Sequence, residues 1–579
     1  MSRQQLTHTT SPQSLPFPRG PFLLHLPSPH LDGCATAKES TACPVFESHD
    51  RPTIAMEVPT ASSLKDIYPE DAIPVQQKRW ENLLAGFKTK FGRPADFVSR
   101  SPGRVNIIGE HIDYSLYEVL PMAVTADVLL AVAVRPASEG PLVRIANVNP
   151  EKFGTREFEI PRQGEIPIDA TSHEWTNYFK SGLRGASKLL AQKKGTADFA
   201  SVGMDILMDG TVPAGGGLSS SAAFVCASAL AVMKANGEEK VDKKELVELA
   251  IVSERAVGVN SGGMDQSASV FSDRGSALYV SFKPELSARA ISFPHTNPEL
   301  TFVIAQSFVA ADKHVTAPVC YNLRVVECSL AAAFLAKIFG LKKPLPKDSS
   351  PLGVSLRGFH DVFFEEKESK ANNTATPFEE FQNQLEELVR ITGEYLPQEE
   401  GYTREQIAEI LDISVDELDQ RFTSQFPVRA ERFKLRQRAL HVFNEAVRVG
   451  KFLTLLDHPP EPKDGNTKEL LQDLGALMNE TQESCRDLYE CSCPELDELC
   501  QLAVGAGALG SRLTGAGWGG CSVHLVPKDK VEKVRETWIN KYYKKKFPNI
   551  TDEKLEEAIV VSKPGSGSSV FKVTGDGVV

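Results

Sequence analysis

Pro213-Ala214-Gly215-Gly216-Gly217-Leu218-Ser219-Ser220-Ser221-Ala222-Ala223 opens an alanine-rich run that extends to about Asn236. Three consecutive glycines let a backbone approach a ligand closely. The helix start behind them presents unpaired N–H groups and the positive end of a dipole, which together favour an anion. The serines suit capping or Mg²⁺ coordination. A triple glycine followed by a triple serine exceeds what capping requires, so the stretch reads as a phosphate loop leading into a helix over 219–236, with a second helix over Lys243–Val257. It is not a Walker A loop, since no G-x-x-x-x-G-K-[ST] occurs. No H-R-D…D-F-G set occurs either, so the P-loop and protein-kinase classes are excluded.

Toward the N-terminus stands Ser101-Pro102-Gly103-Arg104-Val105-Asn106-Ile107-Ile108-Gly109-Glu110-His111-Ile112-Asp113-Tyr114. An apolar strand leads to a glycine turn and then to a dense cluster of Glu, His and Asp. Two carboxylates beside an imidazole suit a polyhydroxylated ligand, whose hydroxyls need both acceptors and donors. Arg104 is a permanent cation able to lower a neighbouring carboxylate's pKa or to steady phosphate oxygens. Beyond the second helix, Gly262-Gly263-Met264-Asp265-Gln266 sets an Asp in a glycine-flanked loop, where it can reach a substrate hydroxyl. Leu513-Thr514-Gly515-Ala516-Gly517-Trp518-Gly519-Gly520-Cys521 matches G-x-G-x-x-G, as does Gly505–Gly510. A dinucleotide fingerprint follows a strand and opens a helix. Here Gly505 follows a helical run and Gly520 precedes a strand, so a glycine turn lying against the active site is expected instead.

The chain has 579 residues, 41% of them hydrophobic and 24% charged, an ordinary globular composition long enough for two large domains. Its net charge of −12 argues against nucleic acid or a membrane surface as partner, while a metal–nucleotide can still be held by local donors. No apolar run approaches the roughly 20 residues that span a bilayer. Of ten cysteines, only Cys485, Cys491, Cys493 and Cys500 cluster, and without a zinc knuckle's spacing, so reduced thiols in a reducing, cytoplasmic compartment are expected. Residues 1–55, rich in Ser, Thr and Pro and poor in acids, read as a disordered N-terminal extension, a transit peptide being the functional alternative. Helical spacing over Val75–Phe91 ends at Gly92. Strands are expected at Phe97–Ile108, Val124–Val134, Ala277–Phe282 and Leu300–Phe308, and the turn at Pro294–Pro298 divides an N-terminal domain, 56–296, from a C-terminal one, 297–579. A helical insertion occupies about 341–426, with amphipathic segments at 379–389 and 403–422. A further helix is expected over Arg429–Arg448, a strand at Cys521–Val526, a basic helix over Lys530–Lys546 and a closing strand near Ser569–Val573. The mixture without regular alternation predicts an α+β fold.

These motifs, in this order, resemble the GHMP kinase superfamily. "GRVNIIGEHIDY" is similar to the signature that marks galactokinases within it, "PAGGGLSSSAA" to the shared phosphate loop and "LTGAGWGG" to the third motif. "YNLRVVEC", "SCRDLYECSCPEL" and the insertion look like the fungal galactokinases and the related N-acetylgalactosamine kinases. The resemblance implies a two-lobed fold, with a ribosomal-S5-like N-terminal domain and a ferredoxin-like C-terminal domain. It implies phosphorylation of galactose by ATP to galactose 1-phosphate, the entry to galactose catabolism. By the same resemblance Glu110, His111, Asp113, Gly262 and Tyr321 bind the sugar, Asp265 carries the catalytic carboxylate, and Arg104 keeps it ionised and stabilises transferring charge. ATP lies on Gly215, Gly216, Gly217, Leu218, Ser219, Ser220, Ser221 and Ala222, with Trp175 and Tyr178 near the adenine and ribose. Ser221, with Ser220 as the lesser candidate, and Glu254 hold Mg²⁺. A cytoplasmic setting is expected; the sequence leaves the oligomeric state open, a monomer being favoured. Two alternatives stay open: a kinase of N-acetylgalactosamine, against which Val257–Met264, "VGVNSGGM", looks like the fungal galactokinase form; and a galactose- and ATP-binding sensor that contacts a transcriptional repressor. Such sensors lack a Ser-Ala pair that is complete here.

Overall fold

The computed structural model describes residues 54–169, 172, 174–213, 215–257, 262–309, 316–368, 376–425, 428–462 and 465–573. The expected disordered extension, 1–55, lies outside them except for its last two residues, as does the middle of the "VGVNSGGM" segment.

Every residue of Phe97–Ile108 is buried, so the alternation seen in sequence divides two apolar faces rather than an apolar face from a wet one. Phe97, Val105, Ile107, Leu130 and Ile206 pack with the alanine-rich helix. Val98, Leu129, Ala131 and Leu207 pack with Trp80, Leu83 and Phe87 on the opposite side. The sheet between them contains Thr60–Ala61 (β1), Phe97–Ile108 (β2), Leu120–Val134 (β3), Leu142–Asn147 (β4), Arg156–Glu159 (β5) and Met204–Gly210 (β6). Ile73–Phe91 (α1) covers one face and stops at Gly92, whose φ of 74° is the left-handed cap expected of it. Asn177–Lys194 (α2), Ser220–Ala235 (α3) and Lys243–Arg255 (α4) form the other layer. Met264–Phe271 (α5) and the hairpin Ser276–Ser281 (β7) with Ser287–Ser292 (β8) complete this lobe.

After the turn at 294–298 the chain enters a second, four-stranded antiparallel sheet. Its members are Leu300–Gln306 (β9), Gly510–Thr514 (β10), Cys521–Pro527 (β11) and Ile559–Ser562 (β12), in the order β10-β11-β9-β12. Helices Lys468–Asp487 and Pro494–Ala506 pack on it, and Trp538 donates its indole N–H to Leu499 O at 2.9 Å. Ser569–Lys572 (β13) then returns to the first sheet. It pairs antiparallel with β2 and parallel with β1, giving the order β1-β13-β2-β3-β6-β4-β5. The fold is α+β, as expected.

The insertion is helical, with Leu356–Glu368, Phe378–Tyr395 and Arg404–Leu411 as its main pieces. The segment 403–422 does not form one continuous helix: Asp412 turns left-handed at φ 60° and a new start follows at Val415. The helix expected over Arg429–Arg448 runs instead over Leu435–Asp457. Its first residues are drawn into a bridge between Phe433 and Tyr402, and the Lys434 N–H is taken by the Glu327 carboxylate at 2.7 Å. The basic helix is interrupted too: Val531–Trp538 widens into a π turn over Ile539–Tyr543.

Candidate active site

β2 carries a bulge where the register slips between Pro102 and Arg104. A Cβ on Gly103 would stand 2.7 Å from Leu218 O and 2.8 Å from Val212 Cγ1, so only glycine lets the strand press on the phosphate loop. The bulge aims Arg104 at that loop. Its backbone N–H donates to Leu218 O (3.1 Å) and its Nη1 to Gly217 O (2.8 Å), while Nε donates to Asp265 Oδ1 at 2.7 Å. Burial alone would lower the Arg104 pKa; Asp265, Glu110 and Asp113 more than offset it, and the guanidinium stays charged. One side chain thereby joins the phosphate loop to the first turn of α5.

The glycines behave as read. Gly215 and Gly217 take φ values of 71° and 74°, and Gly215 faces open space. Ser219, at the start of α3, does not cap it: the residue is left-handed (φ 60°) and its hydroxyl, buried, has no hydrogen-bond partner. Ser220 and Ser221 begin the helix and remain partly accessible, whereas Ala222 is buried. Trp175 stacks on Phe224 of α3 at 6.0 Å and 15°, and Tyr178 leans on the same ring at 6.4 Å. The aromatic pair therefore flanks the phosphate helix. Glu254, at the end of α4, is 1% exposed and accepts a hydrogen bond from the Gln266 amide. Burial and then the Glu254 charge push the Tyr178 phenol up to about 12, which places that carboxylate within electrostatic reach of the pair. A carboxylate and a serine hydroxyl are hard oxygen donors of the kind Mg²⁺ takes beside substrate phosphates. Among the described residues no larger cluster of His, Cys, Asp or Glu suits a metal.

The Gly515–Gly520 turn links β10 to β11 as a hairpin, the wrong context for a dinucleotide. It lies against the phosphate loop, as expected. A Cβ on Gly217 would stand 2.8 Å from Thr514 O, and one on Gly515 would overlap the Gly217 carbonyl. Thr514 Oγ1 in turn accepts the Asn106 N–H at 2.9 Å.

The turn after β2 brings the sugar candidates together. Asp113 is buried and accepts the Met264 N–H at 3.3 Å; burial, then Asp265, raise its pKa to about 6. A Cβ on Gly262 would come within 2.5 Å of Asp113 Cγ, which explains the glycine. His111, left-handed at φ 61°, sits among Tyr114, Tyr321, Tyr489 and Trp518, with ring centroids 5.0–5.9 Å away. Its Nε2 contacts Ala516 O at 3.1 Å, and a carbonyl only accepts, so Nε2 carries the proton and Nδ1 accepts from the Tyr114 hydroxyl (3.1 Å). Burial, and next the neighbouring His441, hold its pKa well below the usual imidazole value, so it is neutral. Both ring nitrogens are therefore partnered within the protein. Glu110 is paired to Arg512 and accepts the Gly515 N–H at 3.0 Å.

Several of these partners escaped the sequence reading. Glu445 Oε1 accepts the N–H groups of Gly109 (2.8 Å) and Glu110 (3.0 Å), and His441 Nε2 donates to Glu110 O at 2.9 Å. His441 and Glu445 are four apart on the Leu435–Asp457 helix, hence on one face. A polar i, i+4 pair within a buried helix face, and an arginine inside the short strand Gly510–Thr514, were the available signals.

Residues 177–273 match the GHMP kinase N-terminal domain and 467–545 the GHMP kinase C-terminal domain. The chain is thus a GHMP kinase by fold and by motif order. Residues 85–134 match the galactokinase galactose-binding signature. Galactokinase of Saccharomyces cerevisiae is 42% identical over 508 residues, 85% of this chain and 94% of that one, and galactokinase of Schizosaccharomyces pombe is 42% identical over 504 residues, 86% and 95%. The chain belongs to the galactokinase family. A crystal structure of Lactococcus lactis galactokinase complexed with galactose shares the fold, with a TM-score of 0.55 at 23% identity over 85% of this chain and 99% of that one.

Proposed function

We propose that this protein transfers the γ-phosphate of ATP to the anomeric hydroxyl of α-D-galactose, giving galactose 1-phosphate, with Asp265 and Arg104 as its catalytic residues. The reading is carried by one arrangement: a single guanidinium, Arg104, bonds both to the Asp265 carboxylate and to the backbone of the phosphate loop. Phosphoryl transfer needs positioning and charge stabilisation more than covalent chemistry. Asp265 accepts the proton of the sugar hydroxyl as that oxygen attacks the γ-phosphorus and the β–γ bridging oxygen departs with ADP. Arg104 orients Asp265 and offsets negative charge gathering on the transferred group. Glu110, His111, Asp113, Gly262 and Tyr321 form the sugar wall, His111 through its ring, since Tyr114 and Ala516 hold its nitrogens. Gly215–Ala222 receive the phosphates, and Trp175 and Tyr178 the adenosine. Bound Mg²⁺, held by Ser221 and Glu254, would neutralise phosphate charge. An acidic surface and free thiols among the described residues support a cytoplasmic setting; no helix of the described residues is long and apolar enough to cross a membrane.

The test follows Mg²⁺-dependent ADP release with galactose, N-acetylgalactosamine, glucose and mevalonate in parallel. Turnover on galactose alone supports the reading. Turnover mainly on N-acetylgalactosamine replaces the substrate, and binding of galactose and ATP without turnover makes the protein a sensor. Asp265→Asn is expected to lower kcat by about 10²–10⁴-fold with an unchanged melting temperature; near-normal kcat would remove Asp265 from the chemistry.

A further inference from the structure

Arg512 stands in β10 with no exposed surface. Its Nη1 donates to Asn106 O at 2.9 Å, and its Nη2 is paired with Glu110 Oε2. The Gly515 N–H donates to the same carboxylate oxygen. The backbone of residue 110 is held separately, through its N–H by Glu445 and through its carbonyl by His441. Three elements therefore fix one residue of the sugar wall, and Oε1 is left as the carboxylate oxygen held by neither Arg512 nor Gly515. A fully buried ion pair is weak evidence for stability, because desolvation of both charges works against the Coulomb gain. Its position, between a strand of the second sheet and the sugar turn, calls for a role in recognition.

We propose that Arg512 is a positioning residue for galactose binding: it keeps the Glu110 carboxylate ionised and in one orientation, so that the remaining oxygen accepts a sugar hydroxyl. The proposal rests on the galactose-kinase reading and goes beyond it by assigning a task to an arginine of the second lobe. The groups facing Glu110 fit this task. Burial, with Asp265 adding to it, holds the proton affinity of Glu110 above the usual carboxylate range; Arg512, then Arg104 and the Gly515 N–H, restrain that rise. Asp113 and Tyr321 lie within electrostatic reach, and His441 and Glu445 hold the Glu110 backbone from the Leu435–Asp457 helix. Arg104 is already bonded to Asp265, so Arg512 is the cation committed to Glu110. Without it, a buried carboxyl would take up a proton and offer a donor where an acceptor is required.

The experiment compares full-length wild type, Arg512→Met and Arg512→Lys, varying galactose and ATP separately between pH 5.5 and 9. Arg512→Met is expected to raise the galactose KM at least about tenfold while moving the ATP KM less than about twofold, as loss of a charged hydrogen-bond partner would. In Arg512→Met the Glu110 carboxyl is expected to titrate above Asp113, which sets the wild-type limb, so the acid limb of kcat/KM for galactose should move upward by about one pH unit. Arg512→Lys should recover part of both effects, since an ammonium restores charge but not the planar fork. In a Glu110→Gln background, Arg512→Met should add little further rise in galactose KM. If Arg512→Met yields no folded protein by circular dichroism, Arg512→Lys decides: a raised galactose KM at unchanged melting temperature supports the proposal, and an unchanged one overturns it. Equal movement of both KM values in Arg512→Met, or an unmoved acid limb, assigns Arg512 a structural role only and overturns the inference while leaving the kinase reading intact. Wild type that does not act on galactose overturns that reading itself.

Discussion

Asp113 stands where three influences meet: burial, the charge of Asp265 and the N–H of Met264 at the start of α5. The first two raise its proton affinity, and the third lowers it by too little to compensate, so the carboxyl titrates at about 6. Below that pH the group is neutral and donates; above it the group accepts, which is what a sugar hydroxyl donor requires. The kcat/KM for galactose should therefore fall about tenfold per unit as the pH drops below about 6, and a pH–rate profile at subsaturating galactose reads it. Asp113→Asn should abolish that limb together with most of the affinity. A limb that persists in Asp113→Asn would assign the titration to another group.

At the scale of elements, the decisive contact is backbone on backbone. The β10–β11 turn and the phosphate loop meet at Gly515 and Gly217 with no room for a methyl group. Gly515→Ala has to separate the two, and φ of 85° makes alanine unfavourable there besides. Kinetics should show kcat reduced and both KM values raised, unlike the galactose-specific change expected at Arg512. This apposition also marks how far the sequence could be read. Gly-Gly-Gly-Leu-Ser-Ser-Ser before an alanine-rich run announces its own local structure, because glycine freedom and helix-start chemistry act within a few residues. The strands β2, β3, β9 and β11 and the stop at Gly92 were legible for the same reason. The left-handed Ser219 was not, since serine ordinarily caps a helix and here the loop's close packing overrides that preference. Nor were Arg512, His441 and Glu445: what makes them matter is their arrival at the sugar turn from the far lobe, and no local pattern encodes a meeting of residues so distant in sequence. The late start of the Leu435–Asp457 helix has a similar origin, in the bridge of Phe433 to Tyr402.

Among the described residues, burial depresses the pKa of four buried, neutral histidines: His441 to about 4, His360 and His524 to about 3, and His111 well below the usual imidazole value. In the unfolded chain each titrates near 6.5. The unfolded state thus binds protons that the folded state refuses, and stability present above about pH 6.5 is lost as pH falls toward the folded values, at up to about 1.4 kcal/mol per pH unit for each group. Glu445, held at about 2 by Arg448 and Arg512 against burial, adds to the loss below about pH 4.5. Thermal melts from pH 7.5 to 4.5 should show a falling midpoint, and His524→Gln should flatten the decline by one proton's slope; an unaltered slope would mean His524 accepts a proton in the fold. The order of the first sheet has a consequence of another kind. β13 lies between β1 and β2, Phe571 packs edge-on to Trp80 at 5.4 Å, and Arg100 of β2 donates to the carbonyls of Ser566 and Gly567. On the ribosome, at about 5–20 residues per second, β2 therefore waits about 20–90 s for the neighbour that closes it. The lobe that is translated first is completed last. Nascent chains stalled before Ser569 should remain open to protease throughout the first lobe, and chains released a few residues beyond Lys572 should not, so that translation itself sets the moment at which the sugar-binding half becomes a folded object.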